Sequence, residues 1–147
     1  MEPATTEQRN PYKGSPPRPR VCLRLTEKDG TTHELALLAD TGNPFAIVIS
    51  EAAMASLKLK MAPDVSTNFG VLLGGWVHIH MPELGVDTDL IGYASDAVVS
   101  STQTSSPEFQ GLAGLPFLRL LEYGGDADWF WLRAASSSTG ELVREPL

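Results

Sequence analysis

The sequence predicts a mostly β domain with one or two short helices, and three observations carry that prediction. Residues 21–26 alternate apolar and polar side chains, Lys28-Asp29-Gly30 supplies a turn, and residues 31–39 return, which is the pattern of a β-hairpin. Two apolar runs, residues 35–39 and 45–49, flank a break at Gly42-Asn43-Pro44. Residues 68–81 then alternate around Gly74-Gly75 as a second hairpin would.

Taken in order, residues 1–20 hold five prolines (Pro3, Pro11, Pro16, Pro17, Pro19) with Arg9, Lys13, Arg18 and Arg20. Such a stretch buries too little apolar surface to offset its ordering entropy, so a disordered, Pro-rich basic arm is expected. Residues 21–134 are the expected folded domain, and residues 135–147, rich in Ser, Thr and Gly, a flexible C-terminal tail. Within the domain, the strand 31–39 loses its alternation after Glu34 and becomes almost wholly apolar, as a strand covered on both faces does. It carries one carboxylate, Asp40, toward the interior, where an unpaired charge is costly.

After the strand 45–49, Ser50 is placed to cap a short helix over residues 51–57, with Glu51 in its first turn. In the hairpin 68–81 the expected bend is Gly74-Gly75. Trp76, His78 and His80 share one strand face, and Val77, Ile79 and Met81 the other. Residues 86–99 supply one or two further strands, and residues 100–106 a polar loop. Pro116 opens a helix running to Glu122, which Gly124-Gly125 ends, and residues 129–132 form a last, strongly apolar strand.

Composition removes several functions. A net charge of −7 opposes binding to nucleic acid or an anionic membrane through bulk electrostatics. Cys22 is the single cysteine, so no internal disulfide exists, and its alternating strand offers only Arg24 to activate a thiolate. The first residues have no apolar core and no run approaches about 18 apolar residues, so neither a secretory signal nor a membrane span is expected, and a cytoplasmic location is. His78-x-His80 could chelate zinc with a third ligand. His33 lies in a separate hairpin and no acidic residue has an obvious claim, so no metal and no cofactor are expected. The Asp87-x-Asp89 and Asp126-x-Asp128 pairs lack the sixth-position glycine and closing Glu of a helix-loop-helix calcium site, and read as solvated loops.

The run Leu35-Ala36-Leu37-Leu38-Ala39-Asp40-Thr41-Gly42, followed by a second apolar strand, resembles the active-site loop of retropepsin-like aspartic peptidases in a single-lobe, stand-alone form. Two further stretches resemble family elements in family order: the glycine-rich 70–79 the flap hairpin, and Gly111-Leu112-Ala113-Gly114-Leu115-Pro116 the element passing behind the catalytic loop into a short helix. Asn43 departs from the pattern, standing where retroviral members usually have Ala and pepsins Ser.

The resemblance implies a closed, barrel-like acid-protease fold and an aspartic endopeptidase. Asp40 would be catalytic, with Thr41 and Gly42 supporting the loop. Leu73, Gly74, Gly75 and Trp76 would form the flap over substrate, and Leu112, Ala113 and Gly114 would brace the loop from behind. The motif occurs once, so a pair of catalytic carboxylates needs a homodimer, acting on a peptide or protein substrate. The strand 129–132 would pair with its mate across that dimer. Two alternatives stay open: a non-catalytic peptide-binding or dimerisation module of the same fold, and a phosphate-binding protein, which would want a second glycine-rich loop and a longer chain.

Overall fold

A computed structural model describes residues 7–68, 70–104 and 106–135. In chain order the strands and helices are β1 (Glu7–Pro11), β2 (Arg20–Thr26), β3 (Thr32–Asp40), β4 (Ile47–Ile49), α1 (Glu51–Leu57), β5 (Lys60–Met61), β6 (Val65–Thr67) and β7 (Gly70–Met81). A short 3-10 turn (Pro82–Leu84) leads to β8 (Val86–Ala94), α2 (Asp96–Thr102), β9 (Gly111–Gly114), α3 (Leu115–Leu118), β10 (Leu121–Gly125) and β11 (Trp129–Ala134).

Strand alternation becomes an inside and an outside. Val21, Leu23 and Leu25 of β2 are sealed from solvent, while Cys22, Arg24 and Thr26 between them are half-exposed. Strands β2, β3, β9, β4, β8 and β7 are joined edge to edge, and β2 meets β7 at Leu25 opposite Ile79 and Thr26 opposite His78, so the six strands close into a barrel. Leu37, Ile47, Ile49, Val77 and Ile79 fill its interior with the β2 residues. Each such side chain contributes about 1.5–3 kcal/mol on leaving water. Among the described residues, no helix is long and apolar enough to cross a membrane.

One crossing positions the turn after Asp40. β3 and β4 are consecutive in the chain but not neighbours in the barrel, because β9 lies between them. It runs parallel to β3, pairing Asp40 with Gly114, and antiparallel to β4, pairing Ile47 with Ala113.

Outside the barrel, β1, β11 and β10 form a separate antiparallel sheet with β11 in the middle. Two expectations are corrected here. Residues 7–20 are not a disordered arm: β1 pairs with β11, and polar rather than apolar groups tie it down. The Gln8 amide donates to the Cys22 carbonyl at 2.7 Å and accepts from the Cys22 N–H at 2.7 Å, completing the free side of β2. The strand 129–132 is not available to a second copy, since β1 and β10 occupy both its edges. Residues 1–6 and 136–147, which include nearly all of the expected tail, lie outside the described residues.

Smaller differences have local causes. Ser50 caps α1 as its position suggests, its hydroxyl accepting from the Ala53 N–H at 3.0 Å. Ser95 does the same for α2 through the Val98 N–H, so the strand after residue 86 stops at Ala94 and a helix replaces part of the polar loop. The helix from Pro116 lasts only to Leu118, because Leu121–Gly125 is drawn into the outer sheet.

Candidate functional site

β3 buries Leu37, Leu38 and Ala39 and then presents Asp40, half-buried, at its end. The chain turns at once. The Asp40 carbonyl accepts from the Asn43 N–H at 3.0 Å, and Asp40 Oδ1 accepts from the Gly42 N–H at 3.1 Å. Asn43 repeats the device one step on, its Oδ1 accepting from the Phe45 N–H at 2.9 Å. Short polar side chains that bond backbone two residues ahead hold tight turns.

β9 supports this loop from behind. The Gly114 N–H donates to the Ala46 carbonyl at 2.9 Å and the Leu115 N–H to the Asn43 carbonyl at 3.1 Å. The approach is too close for any side chain at 114: an added Cβ would stand 1.9 Å from Phe45 O and 2.7 Å from Asn43 O. Gly42 is different. A Cβ there would make only ordinary contact, 3.5 Å from Asp40 Oδ1, so nothing among the described residues demands glycine. Thr41 is exposed, and its hydroxyl has no hydrogen-bond partner among the described residues.

Asp40 opens onto a cleft of about 670 Å³. Leu38, Val48, Leu72, Val98 and Leu112 form an apolar floor, and these same residues pack with Phe109 as a second, smaller core outside the barrel. Gly42, Asn43, Pro44 and Phe45 make one wall, and Val65, Ser66, Thr67 and Asn68, from the β6–β7 hairpin, the other. Asp40 is the only carboxylate among the described residues lining this cleft.

The hairpin beside the cleft is therefore not the one expected. β7 runs unbroken through Gly74 and Gly75, which face Tyr93 and Gly92 of β8, and the chain reverses instead between Thr67 and Gly70. Gly70 adopts φ +98°, a left-handed conformation that favours glycine. Gly74 and Gly75 serve close packing: a Cβ at 74 would stand 2.2 Å from Pro63 O, and one at 75 would stand 2.8 Å from Met54 Sδ. Leu73 is exposed and Trp76 lies beneath the Lys60 ammonium, 5.4 Å from its ring centre; none of the four residues 73–76 lines the cleft. Of the other expected site residues, Asp40, Gly42 and Leu112 line it, while Ala113 and Gly114 lie behind it. Leu72, Val65 and Thr67 also line the cleft, and the signal in the sequence that marks their hairpin is the turn pair Asn68 and Gly70.

A second polar cluster stands elsewhere on the barrel. The β7–β8 register sets His78 opposite Asp89 and His80 opposite Asp87, which corrects the expectation that no acidic residue reaches the histidines. His78 meets Asp89 through Nδ1 and Asp87 through Nε2, both at 2.7 Å, and His80 Nδ1 meets Asp87 at 3.1 Å. Chiefly through the bond to Asp89, the pKa of His78 is raised, and that of Asp87 is lowered chiefly by His80. Burial pushes the Cys22 thiol up, which keeps it protonated and a poor nucleophile.

No family model, no curated protein and no solved structure matches this chain.

Proposed function

We propose that this chain is an aspartic endopeptidase that works as a homodimer, one Asp40 from each copy forming the catalytic pair. The observation that carries the reading is the setting of Asp40. It is a lone carboxylate in a braced turn, at the edge of an apolar-floored cleft beside a hairpin tip. The crossing of β9 behind that turn, and the passage of Gly114 directly into α3, are what the resemblance of the sequence to retropepsin-like enzymes leads one to expect.

Two carboxylates about 3 Å apart share one proton, because both cannot ionise at that separation. The charged one takes a proton from a bound water as it attacks the scissile carbonyl, and the protonated one donates to the carbonyl oxygen. A two-fold axis through the Asp40 loops supplies the pair from a single motif. Thr41, exposed and without a partner among the described residues, then faces the second copy, and the absence of a side chain at Gly42 leaves room for extended substrate backbone. The floor of Leu38, Val48, Leu72, Val98 and Leu112 suits an apolar substrate side chain.

Digestion of a peptide library by the wild type and by Asp40→Asn tests the activity. Cleavage by the wild type that Asp40→Asn abolishes is expected; peptide binding without cleavage in both would make the chain a recognition module. Mixing tests the shared site. When wild-type and Asp40→Asn chains are unfolded together in equal amounts and refolded, only about one quarter of random dimers carry two intact carboxylates. Activity near one half would show a site contained in one chain and overturn the dyad.

A further inference from the structure

We propose that His78, His80 and Asp87 form a surface site for a zinc-class divalent transition-metal ion, with Asp89 as the positioning residue for His78. The inference is independent of the peptidase reading, because none of these residues lines the Asp40 cleft.

The residue types alone would carry little; their placement carries the argument. His78 and His80 are two apart on β7 and so share a face, and Asp87 and Asp89 do the same on β8. The two strands pair over nine successive positions, from Leu73 opposite Ala94 to Met81 opposite Val86, so the four side chains stand on a fixed platform rather than a loop. One ring nitrogen each from His78 and His80 and one carboxylate oxygen of Asp87 lie within 4.8 Å of one another. In a tetrahedral zinc site with bonds of about 2.0–2.1 Å, neighbouring donor atoms stand about 3.3 Å apart. The present separations of 2.7 Å (His78 to Asp87) and 3.1 Å (His80 to Asp87) are shorter than this by about 0.6 and 0.2 Å, so admitting an ion requires the Asp87 carboxylate to draw back from the two rings.

The outer contact is also in place. His78 Nδ1 lies 2.7 Å from Asp89 Oδ1. A carboxylate there accepts a hydrogen bond from Nδ1–H and fixes the tautomer whose Nε2 lone pair, now turned to Asp87, can face an ion, which is the arrangement that orients metal-bound histidines. Two imidazoles and one carboxylate select zinc-class ions over magnesium or calcium, which prefer all-oxygen sites. Three protein donors leave a fourth position for water.

The test is titration of the full chain with zinc chloride at neutral pH after stripping with a chelator, read by calorimetry at micromolar concentrations. One equivalent per chain is expected, with no response to magnesium. His80→Ala and Asp87→Asn should abolish the binding, Asp89→Asn should weaken it about 10–100-fold, and His33→Ala, which alters the remaining histidine, should leave it unchanged. Circular dichroism on each variant separates loss of the site from loss of the fold, and His80→Gln provides a second variant should His80→Ala misfold. Cobalt in place of zinc gives an independent readout, because a tetrahedral site produces a visible absorption band. Absence of saturable zinc binding, or binding that survives both His80→Gln and Asp87→Asn in folded protein, overturns the proposal.

Discussion

In the barrel, strands are sealed. Val21, Leu23 and Leu25 of β2 are closed off from solvent, and backbone meets backbone so tightly at Gly114 and Gly74 that a methyl group has no room. In the outer sheet, β11 seals only Leu132 and leaves Trp129 38% exposed. Its strands are held by side chains that reach across the surface. Glu7 bonds Arg9 and Arg133, the Arg133 guanidinium stacks 3.7 Å over Trp131, and Tyr12 donates to the Asp126 carbonyl at 2.8 Å. The difference is one of tolerance. Close packing fails abruptly when volume is added, whereas a surface network loses its members one at a time.

The largest effect should follow from Gly114→Ala. Its Cβ would meet the carbonyl oxygens of Phe45 and Asn43, backbone atoms that cannot swing aside without dismantling the Asp40 turn. A loss of about 3 kcal/mol or more is expected from urea unfolding. Gly74→Val should cost a comparable amount through Pro63 O and Ala62 O. Near-normal stability in either variant would mean that the barrel yields as readily as the sheet outside it.

Gln8→Ala probes the joint between the two regions. The variant strips the Cys22 N–H and carbonyl of their partner at a half-buried position. The expected cost is about 1 kcal/mol, the lower end of the range for a polar group left unsatisfied. A loss as large as that of Gly114→Ala would place β1 among the barrel's own strands energetically.

The same contrast explains what the sequence disclosed. Period-two alternation in residues 21–26 and the apolar run before Asp40 report burial directly, so the hairpin, the mostly β class and the carboxylate at a strand end were legible. β1 was not, because Gln8 and Asn10 stabilise it through polar groups that hydrophobic patterning counts as solvent-facing. Gly74-Gly75 misled for another reason. A glycine pair fits a bend and a close approach equally well, and the deciding atoms, Pro63 O and Met54 Sδ, belong to other elements. His78 and Asp89 are eleven residues apart, and only the register of β7 on β8 makes them neighbours.

The smallest predicted effect concerns pH. The bond from Arg133, with Arg9 adding to it, holds the Glu7 carboxyl below its usual range despite the opposing pull of desolvation. A carboxylate whose folded pKa is depressed contributes stability in full above its unfolded value and loses it as pH falls through the folded one. The outer sheet should therefore loosen in acid while the barrel still holds. Tryptophan fluorescence reads this selectively, since Trp129 and Trp131 lie on β11 and only Trp76 on the barrel. Other carboxylates titrate nearby, Asp126 among them, so the informative quantity is the difference between the wild type and Glu7→Gln. The variant should lack part of the acid transition, and added salt should shrink the difference, because exposed ion pairs are screened. Identical acid profiles for the two proteins would mean that the Glu7 network contributes nothing. The outer sheet would then rest on its backbone ladder, its packing and the neutral bonds of Gln8 and Tyr12.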